Sequence, residues 1–285
     1  MEKFCINAYA KINLTLDVLG KRSDGYHEIS SVMQNIRLHD QLSVEKTDKA
    51  GVFLESDCPG LPCGEGNLIY RAAVHMLKKY KLRGVSVRLK KNIPIAAGLG
   101  GGSSDCAAAL IAINSLFELN LPQRELLETA LSFGADVPFC LTGGTCLAEG
   151  IGERLTALNP HPKITIVLAA MPFPVSTRDI FSNLAISRRG HTTPAMLEAI
   201  AKGSLAEIAA CLSNGLTETA VGCHKLIKLV MDAFKGEGAI AVNMTGSGPS
   251  VYAYFSSESE SRRAVLSLQK QFPECRFYCS ETHNE

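Results

Sequence analysis

The chain carries almost no net charge: 29 Lys and Arg stand against 28 Asp and Glu in 285 residues, a formal +1. A general electrostatic grip on nucleic acid or on an anionic membrane needs a basic excess, so neither partner is expected. No apolar run approaches the ~20 residues of a spanning helix, and the N-terminus lacks a signal-peptide pattern. Both features fit a cytoplasmic protein. The ten cysteines include no C-x-x-C pair, which weakens zinc and redox readings. They are expected to be reduced and mostly buried, acting as small hydrophobes. Internal repeats and low-complexity segments are also lacking. A composition of 46% apolar and 20% charged residues suits one large or two medium globular domains.

What the chain does have is concentrated in one stretch, Pro94-Ile95-Ala96-Ala97-Gly98-Leu99-Gly100-Gly101-Gly102-Ser103-Ser104. Four glycines in five positions give up much backbone entropy, which is reasonable where backbone must come close to something. An alanine-rich helix is predicted to follow from Asp105 to Phe117, capped by Ser103 or Ser104. A glycine loop entering a helix N-terminus suits a phosphate, since free N–H groups and the helix dipole both favour negative charge. The competing reading is a turn with no ligand. The loop is not a Walker A motif, because no Lys-Ser or Lys-Thr closes it, and its glycines do not fit G-x-G-x-x-G. That spacing, with no acidic ribose residue at the expected distance, counts against a dinucleotide-dependent oxidoreductase.

Around this stretch, strands are predicted at 4–8 and 12–18, with Ile12, Leu14, Leu16 and Val18 alternating with polar residues. Lys11 between them either snorkels to solvent or faces a site. Asp24-Gly25 marks a turn, followed by Tyr26-His27, a surface aromatic pair unless it meets a ligand. Further strands are predicted at 32–37 and 41–46, separated by a Leu-His-Asp turn. Asn67 is a plausible N-cap for a helix over 68–80. Val85, Val87 and Leu89 alternate on a strand that delivers Lys91, a surface or nucleotide-facing lysine, to the Pro94 loop. A helix over 122–133 begins at Pro122. Asp136 after it reads as a helix cap, a turn residue or a catalytic carboxylate. Residues 145–148 read as a strand, 159–162 as a linker, and 164–169 as a buried strand. Phe181 competes as an ordinary core residue. Helices follow at 194–201, 204–213, 223–235 and 258–271, with strands at 239–244 and 250–255 flanking Thr245-Gly246-Ser247-Gly248-Pro249-Ser250.

Pro-x-x-x-Gly-Leu-Gly-Gly-Gly-Ser-Ser resembles the phosphate loop of the GHMP kinases, the galactose, homoserine, mevalonate and phosphomevalonate kinases. Asn-Leu-Ile-x-Arg-Ala-Ala from Asn67, Gly-x-Asp-Val-Pro around Asp136, Pro-x-x-Val-Ser-Thr ending at Thr177 and Gly-Ser-Gly-Pro-Ser from Gly246 recur in the family's order. Ala-Lys-Ile-Asn-Leu at Ala10 and Arg-x-Asp-Gly-Tyr-His at Arg22 resemble the branch whose substrate is 4-diphosphocytidyl-2-C-methyl-D-erythritol, with the homoserine and mevalonate types as alternatives. The resemblance implies an α+β, two-domain fold: an N-terminal domain like domain 2 of ribosomal protein S5 over 1–158, and a ferredoxin-like C-terminal domain over 163–285. It implies transfer of the ATP γ-phosphate to the substrate's tertiary 2-hydroxyl, in a monomer or homodimer. Lys11 and Asp136 would be catalytic. Pro94 to Ser104, Asn67 and Lys91 would hold ATP, and the second glycine loop at 245–250, otherwise a tight hairpin between two strands, would pack against the first. Asn13, Tyr26, His27, Thr177 and Phe181 would bind the substrate, Tyr26 and Phe181 by stacking on cytosine and His27 by hydrogen bonding to it. Mg²⁺ is expected with ATP; Ser103 or Ser104 is the best candidate ligand, with water-mediated binding as the alternative. Asp105 replaces the more usual asparagine and Asn214-Gly215-Leu216-Thr217 departs from the usual Asn-Asp/Asn-Leu-Glu, so the resemblance gives Asp105 and Asn214 no role.

Overall fold

The computed structural model describes residues 2–184 and 191–284. In chain order the elements are β1 (Lys3–Asn13), β2 (Asp17–Lys21), β3 (His27–Lys46), β4 (Gly51–Ser56), α1 (Leu68–Lys79), β5 (Gly84–Lys90), α2 (Gly101–Leu116), α3 (Gln123–Leu131), α4 (Val137–Thr142), β6 (Thr145–Gly150), β7 (Arg154–Ala157), β8 (Thr165–Ala170), α5 (Thr177–Ser182), α6 (Thr193–Lys202), α7 (Leu205–Cys211), α8 (Thr217–Cys223), α9 (Lys225–Gly236), β9 (Ala241–Met244), β10 (Val251–Phe255), α10 (Glu258–Gln271) and β11 (Arg276–His283). They form two compact units. The first comprises Met1–Ala10, His39–Pro94 and Gly100–Thr142; the second comprises Lys11–Leu38, Ile95–Leu99 and Gly143–Glu285.

In the first unit, β5 pairs antiparallel with residues 41–46 of β3 and parallel with β4. The apolar stripe of α1 (Ile69, Ala72, Ala73, Met76, Leu77) packs with Val85, Val87 and Leu89 of β5 and with the alanine-rich face of α2. Alanines on α2 allow close approach of neighbouring helices while keeping helix propensity high. In the second unit, β8 lies between β10 and β11, all antiparallel, and β9 extends the sheet beyond β10. Every residue of β10 is buried, as expected of a strand covered on both faces. The core here joins Val167, Ala169, Val251, Ala253 and Phe255 to Val230 and Phe234 of α9 and Leu268 of α10.

Several sequence expectations need correction. The predicted Leu38-His39-Asp40 turn is the interior of the 20-residue strand β3. Asp40 is fully buried, and its carboxylate accepts the Asn92 and Ile93 N–H groups at 2.6 and 2.8 Å, so this polar residue serves the fold from within a strand. The alternation over 12–18 does not mark one wet and one dry face: residues 11–17 are all buried. Their polar members are paired, Thr15 accepting from Val32 N (3.1 Å) and Asp17 from Thr193 N (2.8 Å). The helix predicted over 223–235 is α9, which starts two residues later after the extended residue His224, and the preceding helix α8 (Thr217–Cys223) was not expected. Of the ten cysteines, all are free and only Cys106, Cys146 and Cys275 are buried, fewer than expected. Burial pushes the Cys106 thiol up to about 12.

Asn67 behaves as predicted. Its side-chain oxygen accepts Ile69 N–H at 2.9 Å, and its amide nitrogen donates to the Pro62 carbonyl at 2.8 Å. Asn67→Ala should cost roughly 1–2 kcal/mol of stability by loss of the cap, measured by denaturant unfolding, whereas Asn67→Asp keeps the acceptor and most of that stability. An alanine variant as stable as the parent would remove the cap from the account.

Candidate active site

The glycine stretch folds differently from the capped helix its serines suggest. Helix α2 starts at Gly101, four residues earlier than predicted, and its N-cap is Gly100 in the left-handed conformation (φ 68°), with no side-chain cap. Ser104 is inside the first turn, its hydroxyl donating to the Tyr9 carbonyl at 2.7 Å. Glycine suits the Gly100 position because, with no Cβ, it adopts the left-handed conformation at no steric cost. The first-turn N–H groups of Gly101, Gly102 and Ser103 thus keep the positive end of a 16-residue helix uncapped by side chains, the arrangement that suits an anion. Ile95 and Ala96 are exposed, whereas Ala97 and Leu99 are buried and anchor the loop.

Gly98, in the second unit, meets the second glycine turn backbone to backbone. Its φ is +75°, and a Cβ there would lie 2.7 Å from the Thr245 carbonyl and 2.9 Å from that of Gly248. Thr245 Oγ1 also donates to the Gly98 carbonyl at 3.3 Å. The packing of the Thr245–Ser250 turn on the glycine loop is therefore borne out at Gly98.

The same unit brings Lys11 and Asn13 to this place. Lys11 N–H donates to the Leu99 carbonyl at 3.0 Å. The Lys11 ammonium, 4% exposed, donates to Asn13 Oδ1 at 2.8 Å. That oxygen also accepts Gly246 N–H (3.0 Å), while Asn13 Nδ2 donates to Ser31 Oγ (2.8 Å) and Asn13 N–H to Thr245 Oγ1 (3.1 Å). A buried amide so fully engaged fixes both the lysine and the turn, since a buried polar atom left unmatched is costly. Asn214, to which the sequence gave no role, holds the turn from behind by donating to the Met244 and Gly246 carbonyls at 2.9 and 2.8 Å. Tyr252 donates to the Asn13 carbonyl at 2.9 Å. These last two partners lie more than 200 residues from Asn13, and no local pattern announces them.

The Arg22–Tyr26 turn is held by Asp24, whose carboxylate accepts Tyr26 N–H at 3.1 Å and pairs with Arg22. It leaves the Tyr26 ring 61% exposed. The His27 ring lies 5.0 Å from that of Phe181, which is half-buried at the edge of the second core. Burial, then nearby Lys21, lowers the His27 pKa, so the ring is neutral at neutral pH and offers both a donor and an acceptor. Thr177 opens α5, and its hydroxyl shares a 2.8 Å hydrogen bond with Ser247 of the glycine turn.

In the first unit, Asp136 is half-buried just before α4, and its carbonyl accepts Cys140 N–H at 3.1 Å. The Lys91 ammonium is enclosed: it donates to Asp105 at 2.6 Å and to Asp40, and the three side chains are 5% exposed or less. Burial, reinforced by the Asp40 charge and opposed by Lys91, pushes the Asp105 carboxyl up to about 7. Neither aspartate was singled out as a site residue.

Two glycines separate the geometric claims. Gly98→Ala adds a methyl against two carbonyls at a left-handed position, a conformation that alone costs roughly 1–2 kcal/mol for a residue with a Cβ. A Cβ at Gly102 meets only Leu68 Cδ1 at 4.0 Å. Gly98→Ala should therefore lower the melting temperature markedly, and Gly102→Ala should hold or raise it. Equal melting temperatures for both variants would contradict the close contact at Gly98.

Comparison with known proteins agrees with these features. Residues 67–144 match the GHMP kinases N terminal domain, and residues 196–274 match the GHMP kinases C terminal family. The 4-diphosphocytidyl-2-C-methyl-D-erythritol kinase of Caldicellulosiruptor saccharolyticus is 43% identical over 93% of this chain and 92% of its own. That of Pelotomaculum thermopropionicum is 44% identical over 94% of each. A crystal structure of 4-(cytidine 5'-diphospho)-2C-methyl-D-erythritol kinase superposes with a TM-score of 0.85 at 32% identity, covering 99% of this chain and 100% of its own. The chain has the α+β fold of the GHMP kinases and belongs to that family, in the group of the 4-diphosphocytidyl-2-C-methyl-D-erythritol kinases.

Proposed function

We propose that the chain transfers the γ-phosphoryl group of ATP to the 2-hydroxyl of 4-diphosphocytidyl-2-C-methyl-D-erythritol, a step in non-mevalonate isoprenoid precursor synthesis. The observation that carries this reading is the meeting of the Lys11 ammonium and the Thr245–Gly246 turn on Asn13, while Lys11 N–H and Thr245 Oγ1 donate to the Leu99 and Gly98 carbonyls of the glycine loop. A cation fixed beside a glycine loop is what phosphoryl transfer asks for, since that chemistry depends chiefly on positioning and on neutralising charge.

In this reading the triphosphate lies along Pro94–Ser104, with the uncapped α2 N-terminus receiving phosphate oxygens and Asn67 near the base. The substrate hydroxyl oxygen attacks the γ-phosphorus, the bond to the β-phosphate oxygen breaks, and ADP leaves. Asp136 takes the hydroxyl proton, and Lys11 offsets charge on the transferring group. Tyr26 stacks on the cytosine, with Phe181 on the opposite face and His27 bonding its edge. Asn13 and Thr177 orient the rest of the substrate. Mg²⁺ would accompany the triphosphate and offset its charge, held by Ser103 or Ser104 or through water. Among the described residues no cluster of three or more His, Cys, Asp and Glu could hold a metal ion. The domain division near 158–163, a cytoplasmic setting, and action as a monomer or homodimer on a small molecule complete the reading. No helix of the described residues is long and apolar enough to cross a membrane.

Two measurements test the roles. Asp136→Asn should lower kcat by roughly 10²–10⁴-fold, the usual worth of a general base, with ATP affinity unchanged. Turnover close to the parent's would remove Asp136 from the chemistry. Tyr26→Ala should raise KM for the cytidyl substrate by roughly ten- to a hundredfold, the equivalent of one base–aromatic stack, and leave KM for ATP alone. Tyr26→Phe keeps the ring face and should cost little. A rise in KM for ATP alone would reverse the assignment.

A further inference from the structure

The enclosed Lys91 points to a role that neither nucleotide contact nor surface charge describes. Lys91 is the first residue after β5, three positions before the glycine loop, and Asp105 is the fifth residue of α2, just after it. Their 2.6 Å contact joins the two ends of the loop. Asp40 completes the joint, taking Lys91 on its carboxylate and fixing Asn92 and Ile93 by their N–H groups. Asp57 holds the Lys91 N–H at 2.8 Å. Space is closed around the joint as well: a Cβ on Gly101 would lie 2.9 Å from Ile93 Cγ2 and 3.1 Å from the Lys91 ammonium nitrogen.

Stability does not account for this arrangement. Two buried carboxylates share one ammonium, and Asp105 Oδ1 is buried with no hydrogen-bond partner. Removing ions from water costs several kcal/mol each in effective terms, and apolar replacements are often neutral or stabilising. The Lys91–Asp40 pair is balanced without Asp105. A buried carboxyl group retained against that cost, at the base of the glycine loop, acts on the loop.

We infer that Lys91 and Asp105 form a clasp that holds the glycine loop in its phosphate-accepting shape, with Asp105 as a positioning residue for ATP and Lys91 engaged with the protein instead of with the nucleotide. This rests on the reading of the loop as the ATP site. The clasp makes a distinctive demand. If Lys91 met the nucleotide directly, deleting its captor Asp105 would free the ammonium and leave ATP binding as tight or tighter. If the clasp shapes the loop, the same deletion loosens the loop and weakens binding.

The test is calorimetric titration of ATP, with the melting temperature and both Michaelis constants, on the full chain and on Asp105→Leu and Asp105→Asn. Asp105→Leu should melt at or above the parent temperature, because a balanced pair remains. Its ATP affinity should fall roughly ten- to a hundredfold, the worth of one charge-assisted hydrogen bond, and KM for ATP should rise while KM for the cytidyl substrate holds. Asp105→Asn retains an oxygen acceptor for the ammonium and should recover affinity to within about threefold, a difference below one hydrogen bond. Should leucine not fit, Asp105→Ala removes the carboxylate without bulk and carries the same comparison. Parent-like or tighter ATP binding in the Leu or Ala variant overturns the clasp. A melting temperature that falls in step with affinity also overturns it, reducing the contact to a structural one. Absence of ATP binding by the unmodified chain would instead strike the reading of the loop itself, and the parent titration shows that separately.

Discussion

The meeting of two backbones at Gly98 is the constraint on which the rest of the second unit's site depends. The Thr245 and Gly248 carbonyls stand where any Cβ on residue 98 would be. Contact that close excludes a side chain at residue 98 and sets the backbone of the loop directly against the turn. It also makes the loop and the Thr245–Ser250 turn a single object, so anything fixing one fixes the other. Asn13 does this through Gly246 and Thr245, and Asn214 does it through the Met244 and Gly246 carbonyls. Lys11 is added to the object twice, by its N–H to Leu99 and its ammonium to Asn13. Each bond is individually modest. Together they leave a buried cation with a defined place, because every alternative would strand a buried polar atom.

Where the signal is local, the sequence could be read. Helix α10 spans 258–271 as its pattern predicts, with Ser257 capping it through Glu260 N–H, and α1 keeps the Asn67 cap. The glycine loop was legible because glycine density has few other uses. The start of α2 was not: serine is a good N-cap, and nothing local says that Ser104 is committed to the Tyr9 carbonyl while Gly100 turns left-handed. The continuity of β3 was hidden for a similar reason. Leu38-His39-Asp40 has turn composition, but Asp40 is needed inside the strand to receive residues more than 50 positions away. Strand β11 carries no such signal, since Arg276–His283 is polar at most positions and is recognisable only by its pairing with β8.

The candidate site residues divide along the same line. Residue types and motif order named Lys11, Asn13, Tyr26, His27, Thr177 and the loop. Geometry added the partners that give those residues a fixed place: Ser31, Thr245, Asn214 and Ser247 in the second unit, Asp40 and Asp105 in the first. These are ordinary polar residues whose meaning lies in long-range contact. The same geometry marks where the fold accepts a cost. An exposed tyrosine ring and a buried carboxylate oxygen without a partner are not what stability alone would select. Both sit in the stretches where a ligand is proposed, while the surface ion pairs elsewhere contribute little to stability either way.

The central claim is that this scaffold phosphorylates one kind of alcohol, recognised by its cytosine. ADP release measured with 4-diphosphocytidyl-2-C-methyl-D-erythritol, homoserine and mevalonate in parallel, with the phosphorylated product located by phosphorus NMR, tests it most directly. The account predicts turnover with the diphosphocytidyl substrate alone and phosphate on its tertiary hydroxyl. Turnover with homoserine or mevalonate in place of the cytidyl compound, or phosphate on another oxygen, would contradict it.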